Sequence, residues 1–238
     1  MGRTVWREKK MKKLMWILSF VPCVITAIVL QFMPDMVPVH YDFSGKIDRW
    51  GSRYEKMIFP IVILVVTLFW QILITYFEKK AGKTDVNKER AEALSNARLL
   101  NVVGIVMAAV YLIINCISLY SSYIEANTDA IHSSVDIGKI SNILLGVLLI
   151  VIGNFVPKAR KNGVVGVRIS WSMYNDTTWM KSNRFCATVF IIAGGLCVVT
   201  SVFADFLVST VLLLVYILGA TVVTLIYAHK VYVEEISK

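Results

Sequence analysis

The sequence predicts an all-α polytopic membrane protein. It has six transmembrane helices, both termini cytoplasmic, and a small extracellular β-hairpin-like loop after the first helix. Three observations predict this class. The 238 residues are 57% hydrophobic and only 17% charged, with a mean hydropathy of +0.66, whereas soluble domains carry about 25% charged residues. The apolar residues gather into long runs at 14–33, 57–77, 99–124, 138–157 and 185–228. The basic residues fall very unequally between the segments that separate those runs.

The first run follows Arg3, Arg7, Lys9, Lys10, Lys12 and Lys13. It is a full span long and ends in Gln31-Phe32-Met33-Pro34, without the small residues of a leader-peptide cleavage site. It therefore predicts an uncleaved first helix. The last run has 44 residues, about 66 Å as one helix at 1.5 Å per residue, against a hydrocarbon core of about 30 Å. It must fold back, and Asp205 is the polar residue at which to turn. Six helices result, near 14–33, 57–77, 99–124, 138–157, 185–204 and 207–228.

Alternating crossings place six Lys/Arg in each of 1–13, 78–98 and 158–184, and two in 229–238, on one side. That is 20 of the 25, leaving five on the other. Cytoplasmic loops carry such an excess, so the termini are expected inside. The formal net charge of +9 is then explained without nucleic acid, and no direct nucleic-acid binding is expected.

The first outer loop, 34–56, alternates from Val37 to Phe43. Val37, Val39, Tyr41 and Phe43 point one way, and Pro38, His40 and Asp42 the other, a strand period. Ser44-Gly45 supplies a turn, and a second extended piece runs through Ile47 and Trp50 to Gly51. Tyr41, Phe43 and Trp50 are expected at the headgroup level, and Pro38 confines its strand to an edge or an irregular segment. His40 and Asp42 are expected to make structural hydrogen bonds. Residues 78–98 predict a solvated helical extension entering the third span, capped by Thr84, Asp85 or Asn87. Residues 125–139 read as an acidic outer loop without an interpretable motif.

Within the spans no Asp, Glu, Lys or Arg stands mid-helix. This weighs against a proton-coupled transporter, because intramembrane ionisable groups mark such pathways. Gln31, Gln71, Asn101, Asn115, Asn142 and Asn154 are expected to hydrogen-bond across the bundle, and Gly104/Ala108 and Gly194-Gly195 to permit close helix approach. The four cysteines, in or beside apolar runs and with no C-x-x-C pair, are expected to be small apolar packing residues. No metal or other cofactor is expected.

The longest polar interval of the second half runs from Gly153 to Arg184. It holds three glycines, two of the six tryptophans and six basic residues against one acid. Pro157 ends the fourth helix, while Asn162-Gly163 and Gly166 make turns. Arg168 is placed to reach a lipid phosphate or to stack on Trp171. Asn175 or Asp176 caps a helix on which Trp179, Ser182 and Cys186 share a face, with Lys181 and Arg184 turned to lipid phosphates or solvent. The interval serves either as an interfacial anchor or as a docking surface for a cytosolic partner.

Two constellations carry a family resemblance over nearly the whole chain. The outer loop, with Met33-Pro34-Asp35, Val37-Pro38-Val39-His40, Gly45, Asp48 and Trp50-Gly51-Ser52, resembles a small membrane domain of unknown function often found at the front of bacterial SdpI-type proteins. The inner interval resembles the SdpI family itself through Gly153-Asn154, Pro157, Lys158, Asn162, Gly166, Arg168, Trp171, Asn175, Trp179 and Asn183-Arg184. The resemblance implies a bacterial immunity protein, a multi-pass resident of the cell membrane that protects against a secreted, membrane-active peptide toxin. It also implies a relay of toxin binding to a cytosolic transcriptional repressor. The expected partners are therefore the lipid bilayer, the toxin outside and the repressor inside. The division it suggests is 1–80, two helices with the extracellular loop; 81–137, the helical extension, third helix and outer loop; and 138–238, a three-helix SdpI-like domain. The alternative is a small membrane transporter or permease. No H-E-x-x-H, G-x-S-x-G or P-loop pattern is present, so no enzyme is expected.

Overall fold

The structure, a computed structural model, describes residues 2–42, 44–128, 130–158, 160–161 and 165–238, with side chains from residue 9 onward. Among them are six helices long and apolar enough to cross a membrane: α1 (Gly2–Val29), α2 (Ile58–Lys83), α3 (Asn87–Thr128), α4 (Ile137–Phe155), α5 (Asp176–Phe203) and α6 (Phe206–Ile236). Strands β1 (Met36–Tyr41) and β2 (Ile47–Ser52) form the expected hairpin between α1 and α2.

The last apolar run folds back where anticipated. The Asp205 carboxylate accepts the Val208 N–H at 2.8 Å and caps α6. Several helices outrun their apolar stretches. α1 extends back through the lysines, which are good helix formers. α5 starts at Asp176, nine residues before its apolar run, because Asn175 and Thr178 form a reciprocal capping box that satisfies the first free N–H groups. α3, at 42 residues, is about 63 Å long, twice the hydrocarbon thickness, and it includes the polar extension from Asn87.

Polar contacts define two ends. Lys12 pairs with Glu78, joining the start of α1 to the end of α2. Lys88 lies 2.9 Å from Asp176, and Asn175 lies 3.5 Å from Glu235 near the C-terminus. Both termini, the α2–α3 junction and the α4–α5 loop therefore share one end, the basic face. The hairpin, the α3–α4 loop and the Asp205 turn form the opposite, hairpin face.

Met15, Ile74, Phe77, Ala97, Leu100 and Ala108 are buried where α1, α2 and α3 meet. Gly104 allows this approach: a Cβ there would lie 2.7 Å from Met15 Sδ. In the other half a Cβ on Gly146 of α4 would lie 2.8 Å from the Gly194 carbonyl oxygen of α5. The anticipated bridging amides are present in two cases. Asn115 donates to Thr26 at 3.1 Å, and Asn142 to Ser209 and Thr210 at 3.0 and 2.9 Å. Gln71 and Asn101 instead bond within their own helices, and Gln31, just past the end of α1, bonds back to the Ala27 carbonyl. Asn154 departs further, because it is exposed. Its neighbour Gly153 takes the inward position, 3.0 Å (as a virtual Cβ) from the Ala187 carbonyl oxygen, and this turns Asn154 outward.

Candidate functional site

At the hairpin face, β1 and β2 pair antiparallel from Met36↔Ser52 to Tyr41↔Ile47, with register irregularities around His40, next to the Pro38 that lacks a donor. Gly45 turns the chain at φ +78°. Asp42 accepts from the Ser44 hydroxyl (2.7 Å), the Ser44 N–H (2.8 Å) and the Lys46 N–H (2.9 Å). These bonds hold its carboxyl below the usual carboxylate range, with the Ser44 hydroxyl the largest cause. His40 Nδ1 lies 2.7 Å from Asp48 across the strands, both exposed. At the base, Arg53 donates to the Met33 carbonyl at 2.7 Å and approaches Asp35 at 3.4 Å, closing the loop around Pro34. Gly51 is buried where a Cβ would press on Val39. Pro38 is buried opposite the exposed Trp50. Phe43 lies outside the described residues.

Tyr41 departs from its expected headgroup position. It turns inward and donates to Glu125 at 2.6 Å. Glu125, in the last turn of α3, is fully buried. It also accepts from the Ser121 hydroxyl, from the Ser133 hydroxyl at 3.2 Å and from the Ser134 N–H at 2.7 Å. Burial, and next the bond to Glu125, raise the Tyr41 hydroxyl pKa. The stretch read as an uninterpretable acidic loop thus begins with the residue that joins hairpin, α3 and α3–α4 loop. The loop also lies along the hairpin: Ile47 donates to the Ile131 carbonyl at 2.9 Å, and Ser133 to that of Gly45 at 2.7 Å. A signal was present in the sequence. Ser121 stands one turn before Glu125, and Ser133-Ser134 follow after a break. Beneath the hairpin lies a cavity of about 380 Å³ whose lining includes Val39, Arg49, Glu55, Lys56, Phe59 and Asn115.

At the basic face the motif residues separate into two sets. Gly166 has φ +108°, a conformation side chains other than glycine rarely adopt, and a Cβ there would lie 3.0 Å from the Trp179 ring. Asn183, buried, accepts the Val167 N–H at 2.9 Å and donates to the Trp179 carbonyl at 2.9 Å. Trp179 is buried beside it. Asn175 accepts the Thr178 N–H at 2.8 Å. Gly166, Asn175, Trp179 and Asn183 therefore lock the loop against α5. Pro157 lies in a short 3-10 turn, Val156–Lys158, that ends α4. Asn154, Arg168 and Arg184 are exposed. Trp171 is not drawn to Arg168, because its ring meets His229 edge-on at 4.5 Å between centroids. Asn162 and Gly163 lie outside the described residues.

Residues 158–228 match the SdpI/YfhL protein family. That stretch is similar to this family. Residues 17–64, from α1 through the hairpin into α2, match a domain of unknown function, DUF1648. The chain is 24% identical over 206 residues to the immunity protein SdpI of Bacillus subtilis (strain 168), covering 86% of this chain and 88% of the relative. No solved structure matches it significantly. Within the matched residues 158–228, Gly166, Asn175, Trp179 and Asn183 shape the loop, while Arg168 and Arg184 are displayed by it.

Proposed function

We propose that this chain is an immunity protein of a bacterial membrane, with the basic face and both termini in the cytoplasm and the hairpin outside. It protects the cell from a secreted, membrane-active peptide and reports the encounter to a cytosolic transcriptional repressor. The likeness to the immunity protein SdpI, extending over most of both chains, is the observation that carries this reading. The geometry supports it in two respects. The hairpin, α2 and α3 frame a largely apolar cavity whose lining also carries Lys56 and the Arg49–Glu55 pair, 3.1 Å apart, suited to an amphipathic segment. A single helix, α3, runs from the hairpin clasp at Glu125 to the basic face at Lys88 and so touches both ends.

The test is a challenge of sensitive cells with the secreted peptides of the host bacterium. Cells expressing the chain should survive a dose that kills control cells. Equal killing across those peptides defeats the proposal. The relay is tested separately with Arg168→Ala/Arg184→Ala. Both side chains are exposed, so the variant should insert normally and keep protection while losing a repressor-controlled reporter response. An unchanged reporter response confines this face to anchoring.

A further inference from the structure

The basic face holds a second cavity, of about 470 Å³, between α1, α3 and the end of α4. Its floor includes Leu99, Val102 and Phe155, and its rim Arg98, Lys158 and Arg160; among the described residues that line it none is acidic. The height of the cavity is set by the helix ends. α4 stops at Phe155, whose ring packs near Leu99 and Val103 of α3, and the Lys158 ammonium lies 4.5 Å above that ring. Above this level the two helices are apolar. Below it α3 continues as a polar extension and α4 gives way to the loop. The slot thus lies where the apolar stretches of α3 and α4 end, with Leu99, Val102 and Phe155 continuous with those stretches and Met11, Ala91 and Leu94 extending the lining past Arg98.

We infer that this cavity binds an anionic phospholipid, the phosphate held by Arg98, Lys158 and Arg160 and one acyl chain lying over Val102 and Phe155. Three cations beside an apolar floor complement a headgroup phosphate carried on hydrocarbon, and basic pockets between helices at the membrane boundary bind such headgroups. A soluble anion would gain nothing from the floor, and a zwitterionic lipid less from the rim. The bound lipid would bridge α3 to the α4–α5 loop, to which Lys158 and Arg160 belong.

The full-length chain, purified in detergent, is tested with added phosphatidylglycerol, phosphatidylcholine or inorganic phosphate, reading retained lipid by native mass spectrometry and the unfolding temperature. Phosphatidylglycerol should be retained and raise the unfolding temperature; phosphatidylcholine should be retained less and raise it less, and inorganic phosphate should not raise it. Arg98→Gln/Lys158→Gln should bind phosphatidylglycerol about thirtyfold more weakly, as expected for two cations at a membrane surface. If that variant does not fold, Val102→Phe, which fills the slot and keeps the charges, should lose retention. Equal retention of the two lipids, a shift reproduced by inorganic phosphate, or undiminished binding in the folded variant overturns the inference.

Discussion

Glu125 is the residue on which the hairpin end depends. Four donors converge on one buried carboxyl, and removing a hydrogen-bond partner from a buried polar group costs about 2 kcal/mol. Tyr41→Phe deletes one hydroxyl and keeps the ring, so it should lower stability by about that amount, seen as a lower unfolding temperature in detergent. The pH sign follows from the direction of the Tyr41 shift. A hydroxyl whose folded pKa is raised contributes fully below the unfolded tyrosine range, about pH 10, and loses the contribution as pH rises through the native value. The difference between wild type and Tyr41→Phe should therefore be constant from pH 6 to about 9 and shrink only in stronger alkali. Gly166 is the corresponding residue at the basic end. Gly166→Ala places a methyl in a strained conformation against Trp179 and should cost about 1–3 kcal/mol, with earlier proteolytic cleavage in 158–175. A wild-type cleavage pattern would show that the lock is not needed to hold the loop.

The helices of the second half hold together through small residues rather than large ones. Gly146 and Gly194 bring the α4 and α5 backbones close enough that neither tolerates a side chain without displacement. Gly146→Leu should overpack this contact and destabilise by about 1–3 kcal/mol, or misplace the pair, measured as lost thermal stability with retained membrane insertion. Asn142 links α4 to α6 through Ser209 and Thr210. Interhelical hydrogen bonds in membranes average about 0.6 kcal/mol, so Asn142→Leu should cost less than Gly146→Leu. The reverse order would show that polar pairing, not close approach, determines the packing of this half.

Across the whole molecule, α3 is the common element. It packs on α1 and α2, contributes Leu99 and Val103 to the contact with α4, and meets the hairpin at Glu125 and the α4–α5 loop near Asp176. The proposed orientation makes a direct prediction. In intact cells an impermeant maleimide should label Ser44→Cys at the hairpin turn and not Ser237→Cys. Ser237→Cys should become reactive only after lysis. The opposite pattern reverses the proposed topology and places the cavity beneath the hairpin inside the cell.

The helix number, the fold-back at Asp205 and the hairpin with its Gly45 turn were legible in the sequence, because membrane thickness, apolar run length and strand period act locally along the chain. The division of work within the Gly153–Arg184 interval was not. Asn154 and Asn183 are equally polar in sequence, yet Gly153 turns Asn154 outward while Gly166 and Trp179 enclose Asn183, and only the packing of α4 on α5 distinguishes them. Arg168 and Trp171 are three apart, but the ring of Trp171 is claimed by His229, 58 positions away. Glu125 was least legible, because its burial arises from Tyr41, 84 positions earlier, folding back onto the end of α3. Hydropathy specifies which segments enter the membrane. Which polar side chains are enclosed between them depends on contacts distant in sequence, and those exist only once the helices have packed.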